Sequence, residues 1–146
     1  MIDEAHKILR CFPPEIAHNL AITGLKISGD RLPPLGPLLG LEQDLAGLKF
    51  LNPIGLAAGL DKDAKALLGL ARLGFGHIEV GTVTPKPQLG NPKPRLFRIR
   101  ESGALINRMG FNNEGVESMV GRLEKIRREN LLSSTIEAVS YTHLRA

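Results

Sequence analysis

The sequence predicts an α/β protein, and three observations carry that expectation. Its apolar residues alternate between the spacing of a helix face and the short unbroken run of a buried strand. Sixteen glycines and ten prolines fall between those runs, the punctuation of many short elements joined by tight loops. A strand, a loop, a helix and a second strand follow one another from Ile54 to Val83, the order of a parallel βαβ unit. With 146 residues the chain has room for one core and not for two of comparable size.

The elements are predicted as follows. Ile8, Leu9, Phe12, Ile16, Ala17, Leu20 and Ala21 fall on helical faces that Pro13-Pro14 interrupts, so two short helices are expected. The second can start at Pro14, whose missing amide costs nothing in a first turn, with Glu15 complementing the helix dipole. Pro33, Pro34 and Pro37 mark Gly29 to Gly40 as a linker. Leu48, Phe50 and the run Ile54-Gly55-Leu56-Ala57-Ala58 read as a turn-entered strand buried on both faces. A polar loop, Gly59 to Asp63, leads into Ala64, Leu67, Leu68, Ala71 and Leu73 at helical spacing, which Gly74 and Gly76 stop. His77 to Val83 is the second strand, parallel to the first. Pro85, Pro87, Pro92 and Pro94 make the next stretch a loop or an edge. Arg95 to Arg100 and Gly103 to Met109 are expected to pair as a hairpin, and Asn112-Asn113 to cap a helix through Val116, Met119, Val120, Leu123 and Ile126 to Arg128.

Composition removes several classes of function. At 42% hydrophobic and 23% charged the chain is of globular type, neither disordered nor fibrous. Cys11 is the only cysteine, which rules out a disulfide framework or a cysteine metal site within one chain and fits a reducing compartment. His6, His77 and His143 stand in no ligand motif, so no metal site is expected. The net charge of +4 is spread out and aromatic residues are few, so nucleic acid is not an expected partner. No apolar stretch approaches the ~18 residues of a spanning helix, and the start lacks the apolar core of a signal peptide.

Four motifs at matching spacing carry a family resemblance. They are Asn52-Pro53-Ile54-Gly55-Leu56-Ala57-Ala58-Gly59-Leu60-Asp61-Lys62-Asp63; Glu79-Val80-Gly81-Thr82-Val83-Thr84-Pro85-Lys86-Pro87-Gln88; Gly90-Asn91-Pro92-Lys93-Pro94-Arg95-Leu96-Phe97-Arg98; and Ile106-Asn107-Arg108-Met109-Gly110-Phe111-Asn112-Asn113. Together with Gly74-Phe75-Gly76 they resemble the dihydroorotate dehydrogenases, from about Ile8 to about Leu131. The resemblance implies a (β/α)8 TIM barrel, here its first strands and helices, carrying FMN at the carboxyl ends of the strands where such barrels place their sites. By the same resemblance Ala58, Gly59, Leu60, Asp61, Lys62 and Thr82 contact the flavin, and Lys62 together with Asn107, Arg108, Met109, Gly110 and Phe111 contacts dihydroorotate or orotate. Gly59 has a physical reason to be there, since a missing Cβ lets backbone approach a flat ring, although it also reads as an ordinary turn glycine. On spacing alone Lys62 reads as a solvated lysine between two aspartates. Asn107 can donate and accept, as the imide-like edge of orotate requires. Arg108 also reads as an internal ion-pair partner, and Phe111 as a core aromatic.

The residues before the first strand select a subclass. Phe12-Pro13-Pro14-Glu15-Ile16-Ala17-His18 resembles the start of the membrane-associated, quinone-linked class, whose two amphipathic helices form an apolar entrance for the quinone. An apolar face rimmed by Lys7, Arg10 and Lys26 suits a bilayer headgroup region, and the resemblance implies a peripheral protein at the cytoplasmic face of a bacterial membrane. A helix pair packed on a barrel shows the same periodicity. His18 and Arg98 match positions of the quinone tunnel; alternatively His18 is a helix-surface histidine and Arg98 a strand residue paired with Glu101.

The family oxidises dihydroorotate to orotate by proton removal from one ring carbon and hydride transfer from its neighbour to FMN, which quinone reoxidises. The class uses a serine base in a later Asn-Ser-Pro-Asn loop, and Ser118, Ser133 and Ser134 do not match it. The chain is accordingly expected to divide into a helical extension and linker (1–44), the start of an FMN barrel (45–132) and an atypical tail (133–146). Within that tail Ser140 to Ala146 resembles read-through of non-coding sequence behind a truncated gene. A barrel needs at least ~200 residues to close, so an open sheet, aggregation and no activity of the chain alone are expected. Two rival readings are another FMN or phosphate-binding barrel enzyme and a non-catalytic module for membrane or partner attachment.

Overall fold

In a computed structural model, which describes residues 2–29, 31, 33, 40–128 and 135–140, strand β4 (His77–Val83) is the centre of a parallel sheet. It has β3 (Gly55–Leu56) on one side and β7 (Thr135–Ser140) on the other. Two helices, α1 (Ile2–Arg10) and α2 (Pro14–Ser28), come first, then a hairpin of β1 (Gln43–Leu45) and β2 (Leu48–Phe50). Helix α3 (Leu67–Arg72) connects β3 to β4, and an antiparallel hairpin of β5 (Leu96–Ile99) and β6 (Ala104–Asn107) precedes α4 (Val116–Arg128). The βαβ order, the second strand, the hairpin and the last helix stand where the sequence predicts them. The linker predicted over Gly29 to Gly40 lies largely outside the described residues.

Three expectations need correction. The first strand is two residues long and is not buried on both faces, for Ile54 is 62% exposed. It is held instead by close approach: a Cβ on Gly55 would stand 2.0 Å from the His77 ring, which meets Phe50 edge-on. Leu48 and Phe50 belong to a separate hairpin, whose two-residue turn puts Ala46 (φ 51°) and Gly47 (φ 80°) in the left-handed region. An Ala-Gly pair is a weak signal for that turn. The helix predicted from Ala64 starts only at Leu67, because the Asp61 carboxylate takes the amides of Lys65 (2.8 Å) and Ala66 (2.7 Å) and Ala64 adopts φ 56°. Finally, Thr135–Ser140, expected to belong to an atypical tail, pairs in parallel with β4 from His77 onward, with a register shift between Gly81 and Val83.

The core lies between the sheet and the helices. Ile78, Val80 and Val83 of β4 meet Leu67 and Leu70 of α3 and Met119 of α4, all buried. Helix α2 joins from outside through Ile22 and Leu25. Its backbone approaches α3 closely: a Cβ on Gly69 would stand 2.2 Å from the Leu25 carbonyl oxygen. Gly69→Ala is therefore expected to push α2 off α3 and cost about 1–3 kcal/mol, the range of overpacked sites. Urea unfolding, with amide exchange along α2, reads both effects; unchanged stability and protection would contradict the close approach.

Candidate functional site

The site is built at the carboxyl ends of β3 and β4. After β3, residues 58–66 form a succession of turns anchored by the buried Asp61 carboxylate. Gly59 in that loop has φ 109°, with open space where a Cβ would point, so its backbone is bare on that side. Leu60 is partly exposed and Ala58 half-buried. At the end of β4, Gly81 has φ 109° and a cis peptide to the half-buried Thr82, two residues before the buried Thr84.

The segment after β6 folds back onto this loop. Lys62 Nζ donates to Asn112 Oδ1 at 3.1 Å, and the Glu114 amide donates to Asp63 Oδ1 at 2.7 Å. Glu114 is also paired with Lys65 and Arg122, and Arg122 donates to the Asp63 carbonyl at 2.8 Å. Asn113 is buried, and every hydrogen-bonding group of its amide is used. Its Oδ1 accepts from the amides of Thr84 (3.2 Å) and Gly115 (2.9 Å), while its Nδ2 donates to Thr84 Oγ1 (2.9 Å) and the Phe111 carbonyl (2.7 Å). The predicted cap at Asn113 thus takes an amide just ahead of α4, but its larger role is to fasten the segment to the end of β4. The loop before β5 braces the same segment, with Asn91 donating from its amide to Met109 O (3.0 Å) and from Nδ2 to Arg108 O (2.8 Å). Gly110 (φ 74°) lies so close that a Cβ would stand 2.7 Å from the Asn91 nitrogen.

Burial pushes the Lys62 ammonium below its ordinary pKa, and the Arg95 charge adds to that, against the opposing pull of Asp63. The solvated reading of this lysine is thereby corrected: it is half-buried and held by an amide. His18 is half-buried on α2 and within reach of the charges on Asp61, Glu15 and Lys62. Its imidazole is pushed down chiefly by burial, so the helix-surface reading is corrected as well.

Arg108 and Arg98 turn elsewhere. Arg108 donates to the Pro94 carbonyl (2.9 and 3.3 Å) and lies 5.6 Å over the Phe97 ring, in place of an ion pair. Arg98 donates to the carbonyls of Phe12 (2.5 Å) and Arg10 (3.4 Å), which ties the hairpin to the α1–α2 turn; the pairing with Glu101 is not formed. Phe111 is 38% exposed at φ 56° and is not a core aromatic. Asn107 is exposed at the end of β6, opposite Leu96. The structure therefore joins the loop of Lys62 to the end of the 107–113 segment and leaves the Arg98 and Arg108 guanidiniums on the hairpin.

Beside α2, Arg95 is buried and donates to Glu15 Oε1 from Nε (3.1 Å) and Nη2 (2.7 Å), and from Nη1 to the carbonyls of Leu89 (2.6 Å) and Asn91 (3.2 Å). Phe12, Ile16, Leu20 and Ile27 of the helical segment and Leu105 and Ile106 of the hairpin are exposed apolar residues. Among the described residues, no helix is long and apolar enough to cross a membrane.

Comparison with known proteins gives the family. A sequence model described as dihydroorotate dehydrogenase matches residues 40–141, a span that includes β7. The dihydroorotate dehydrogenase (quinone) of Methylococcus capsulatus is 51% identical over 130 residues, which are 84% of this chain and 37% of that protein. Its counterpart in Stutzerimonas stutzeri is 49% identical over 141 residues, 93% of this chain and 40% of that protein. The crystal structure of the Eimeria tenella enzyme in complex with ferulenol superposes with a TM-score of 0.75 at 39% identity, covering 90% of this chain and 36% of that one. The chain thus spans roughly two fifths of these relatives, and its architecture is an incomplete barrel behind two amino-terminal helices. It belongs to the dihydroorotate dehydrogenase family.

Proposed function

We propose that this segment supplies the first flavin and substrate contacts of an enzyme that oxidises dihydroorotate to orotate with FMN and a membrane quinone. The observation that carries the reading is the junction of two motifs distant in sequence, in which Lys62 meets Asn112 at 3.1 Å beside the ends of β3 and β4. The residues fit a flavin: bare backbone at Gly59, open space above it, and a half-buried cation whose partner is neutral. Ala58 to Lys62 and Thr82 would hold it, and FMN, when bound, would accept hydride from the substrate. Lys62 would offer its positive charge to the substrate carboxylate and to the flavin ring. Residues Asn107 to Phe111, braced by Asn91 and Asn113, would present hydrogen-bonding groups to the substrate ring. The guanidinium of Arg108 is engaged at Pro94 and its backbone at Arg95 and Asn91, so its share is to hold the segment in place.

The exposed apolar side chains of α1, α2 and the hairpin, with His18 and Arg98 at their inner margin, support a quinone entrance and a peripheral seat on the cytoplasmic face of a membrane. No serine of this chain stands in the motif of the family's base, and Ser118 lies exposed on α4.

The purified chain is expected to give no turnover and to hold FMN weakly or not at all. Joined in frame to the remaining length of the Methylococcus capsulatus relative, it should bind FMN and reduce a soluble quinone with dihydroorotate. Turnover by the chain alone would refute the fragment reading. A flavin-loaded hybrid indifferent to Lys62→Ala would refute the site. Flotation with anionic phospholipid vesicles tests the membrane seat, and a chain that stays with the soluble fraction counts against it.

A further inference from the structure

We propose that Asn112 is a positioning residue whose neutral side-chain oxygen holds the Lys62 ammonium in place while leaving its positive charge available to an anionic ligand. The inference rests on the reading of Lys62 given above and goes beyond it, because it assigns a role to a residue outside the contact set.

Two lysines of one loop are held in contrasting ways. Lys65 is paired with Asp63 at 3.5 Å and with Glu114, so its charge is spent inside the protein. Lys62, three residues earlier, is given an amide oxygen at 3.1 Å. Carboxylates are not scarce nearby. Asp61 is committed to the amides of Lys65 and Ala66, Asp63 to the Glu114 amide and Lys65, and Glu114 to Lys65 and Arg122. The same arrangement that fastens the two motifs together therefore withdraws all three carboxylates from direct contact with Lys62 among the described residues. An amide and a carboxylate have nearly the same shape, and either would fix the ammonium. Only the amide fixes it without neutralising it. A carboxylate at position 112 would form an ion pair that an incoming anion must displace.

The titration behaviour points the same way. Burial works against the charge on Lys65, yet hydrogen bonds and charges from Glu114 and Asp63 hold that amine above its ordinary value. Lys62, lowered by burial and by Arg95, has only the charge of Asp63 to oppose them and no carboxylate hydrogen bond. A cation left in that condition gains the most from an anionic partner.

The test compares Asn112→Asp with Asn112→Ala in the full chain, using competitive acylation of lysines at fixed pH read by mass spectrometry, with Lys65 as internal reference. In the parent chain Lys62 should label more readily than Lys65. Asn112→Asp should lower the Lys62 to Lys65 ratio by about threefold or more, as an opposite charge within ~4–6 Å protects an ammonium from deprotonation. Asn112→Ala should not lower it. Equal labelling of the two lysines in the parent chain overturns the proposal, and so does a ratio that ignores Asn112→Asp.

The same two substitutions in the hybrid enzyme then separate this inference from the function it rests on. Asn112→Asp is expected to raise KM for dihydroorotate by about tenfold, and more than Asn112→Ala does. A purely structural asparagine would show the opposite order, since the isosteric change disturbs shape least. Labelling that responds while KM does not would overturn the assignment of Lys62 to the substrate and leave Asn112 as its holder.

Discussion

Replacing Arg95 with methionine is expected to cost about 3–5 kcal/mol of stability at neutral pH, the usual penalty for removing one partner of a buried ion pair. The guanidinium side chain is 8% exposed and the Glu15 carboxylate 15%, so the charge left behind is largely shut away from water. Lys93, at 3.3 Å and 65% exposed, is a weak substitute. The carbonyls of Leu89 and Asn91 lose a donor as well. The effect should depend on pH in one direction. Burial alone would raise the Glu15 carboxyl, but hydrogen bonds and charges from Arg95 and Lys93 outweigh it and hold the group below its ordinary 4.5. A depressed carboxylate contributes stability that is complete above the unfolded value and is lost as pH falls through the folded one. The gap between the parent chain and Arg95→Met should therefore be full at pH 7 and shrink as falling pH protonates Glu15. Urea midpoints across that range measure it, and a gap of constant size would show that packing, not the ion pair, carries the loss. Because Arg95 ties α2 to the loop bracing residues 108–110, the substitution should also loosen the helical segment, visible as faster amide exchange along α2.

That ion pair also shows where sequence reading stops. Glu15 is legible as a residue suited to the first turn of a helix, and the helix is there. Its partner lies 80 residues away, and no local pattern announces it. The strand at His77–Val83 and the helix at Val116–Arg128 were readable because their apolar spacing matches one face of a core. The helix start at Leu67 was not, since the Asp61 side chain competes for the amides that a longer helix would use. The site divides along the same line. Its motifs can be read, as can the loop character of Gly59 to Asp63. The fastening of one motif to the other through Asn112, Asn113 and Glu114 is a tertiary fact, with partners some 50 residues apart for Lys62 and Glu114. Asn113 reads in sequence as the end of a motif and as a helix cap, and the cap is the one local hydrogen bond it forms toward α4.

Asn113→Leu is expected to destabilise the chain by about 3 kcal/mol or more, because several buried polar groups lose their partner at once and each costs ~1–3 kcal/mol. The amides of Thr84 and Gly115 would lose an acceptor, and the carbonyl of Phe111 a donor. Thr84 Oγ1 keeps its bond to the Lys86 carbonyl at 2.6 Å and adds little to the loss. Asn113→Asp separates hydrogen bonding from shape. It preserves the acceptor for both amides but has no donor for Phe111, so its cost should be smaller than that of leucine. If leucine proves as stable as aspartate in urea unfolding, the latch is not what secures this junction. The consequence for the site follows from position. Asn113 ends the segment whose earlier residues are proposed to meet the substrate, and it binds that segment to the strand end that carries Thr82. With the latch cut, the backbone pairing of Gln88 with Asn113 (2.9 and 3.0 Å) and the Asn91 contacts are left to hold the segment from one side. Amide exchange at Thr84 and Gly115 should then rise together, since one side chain protects both, and in a flavin-loaded hybrid substrate affinity should fall before flavin affinity does.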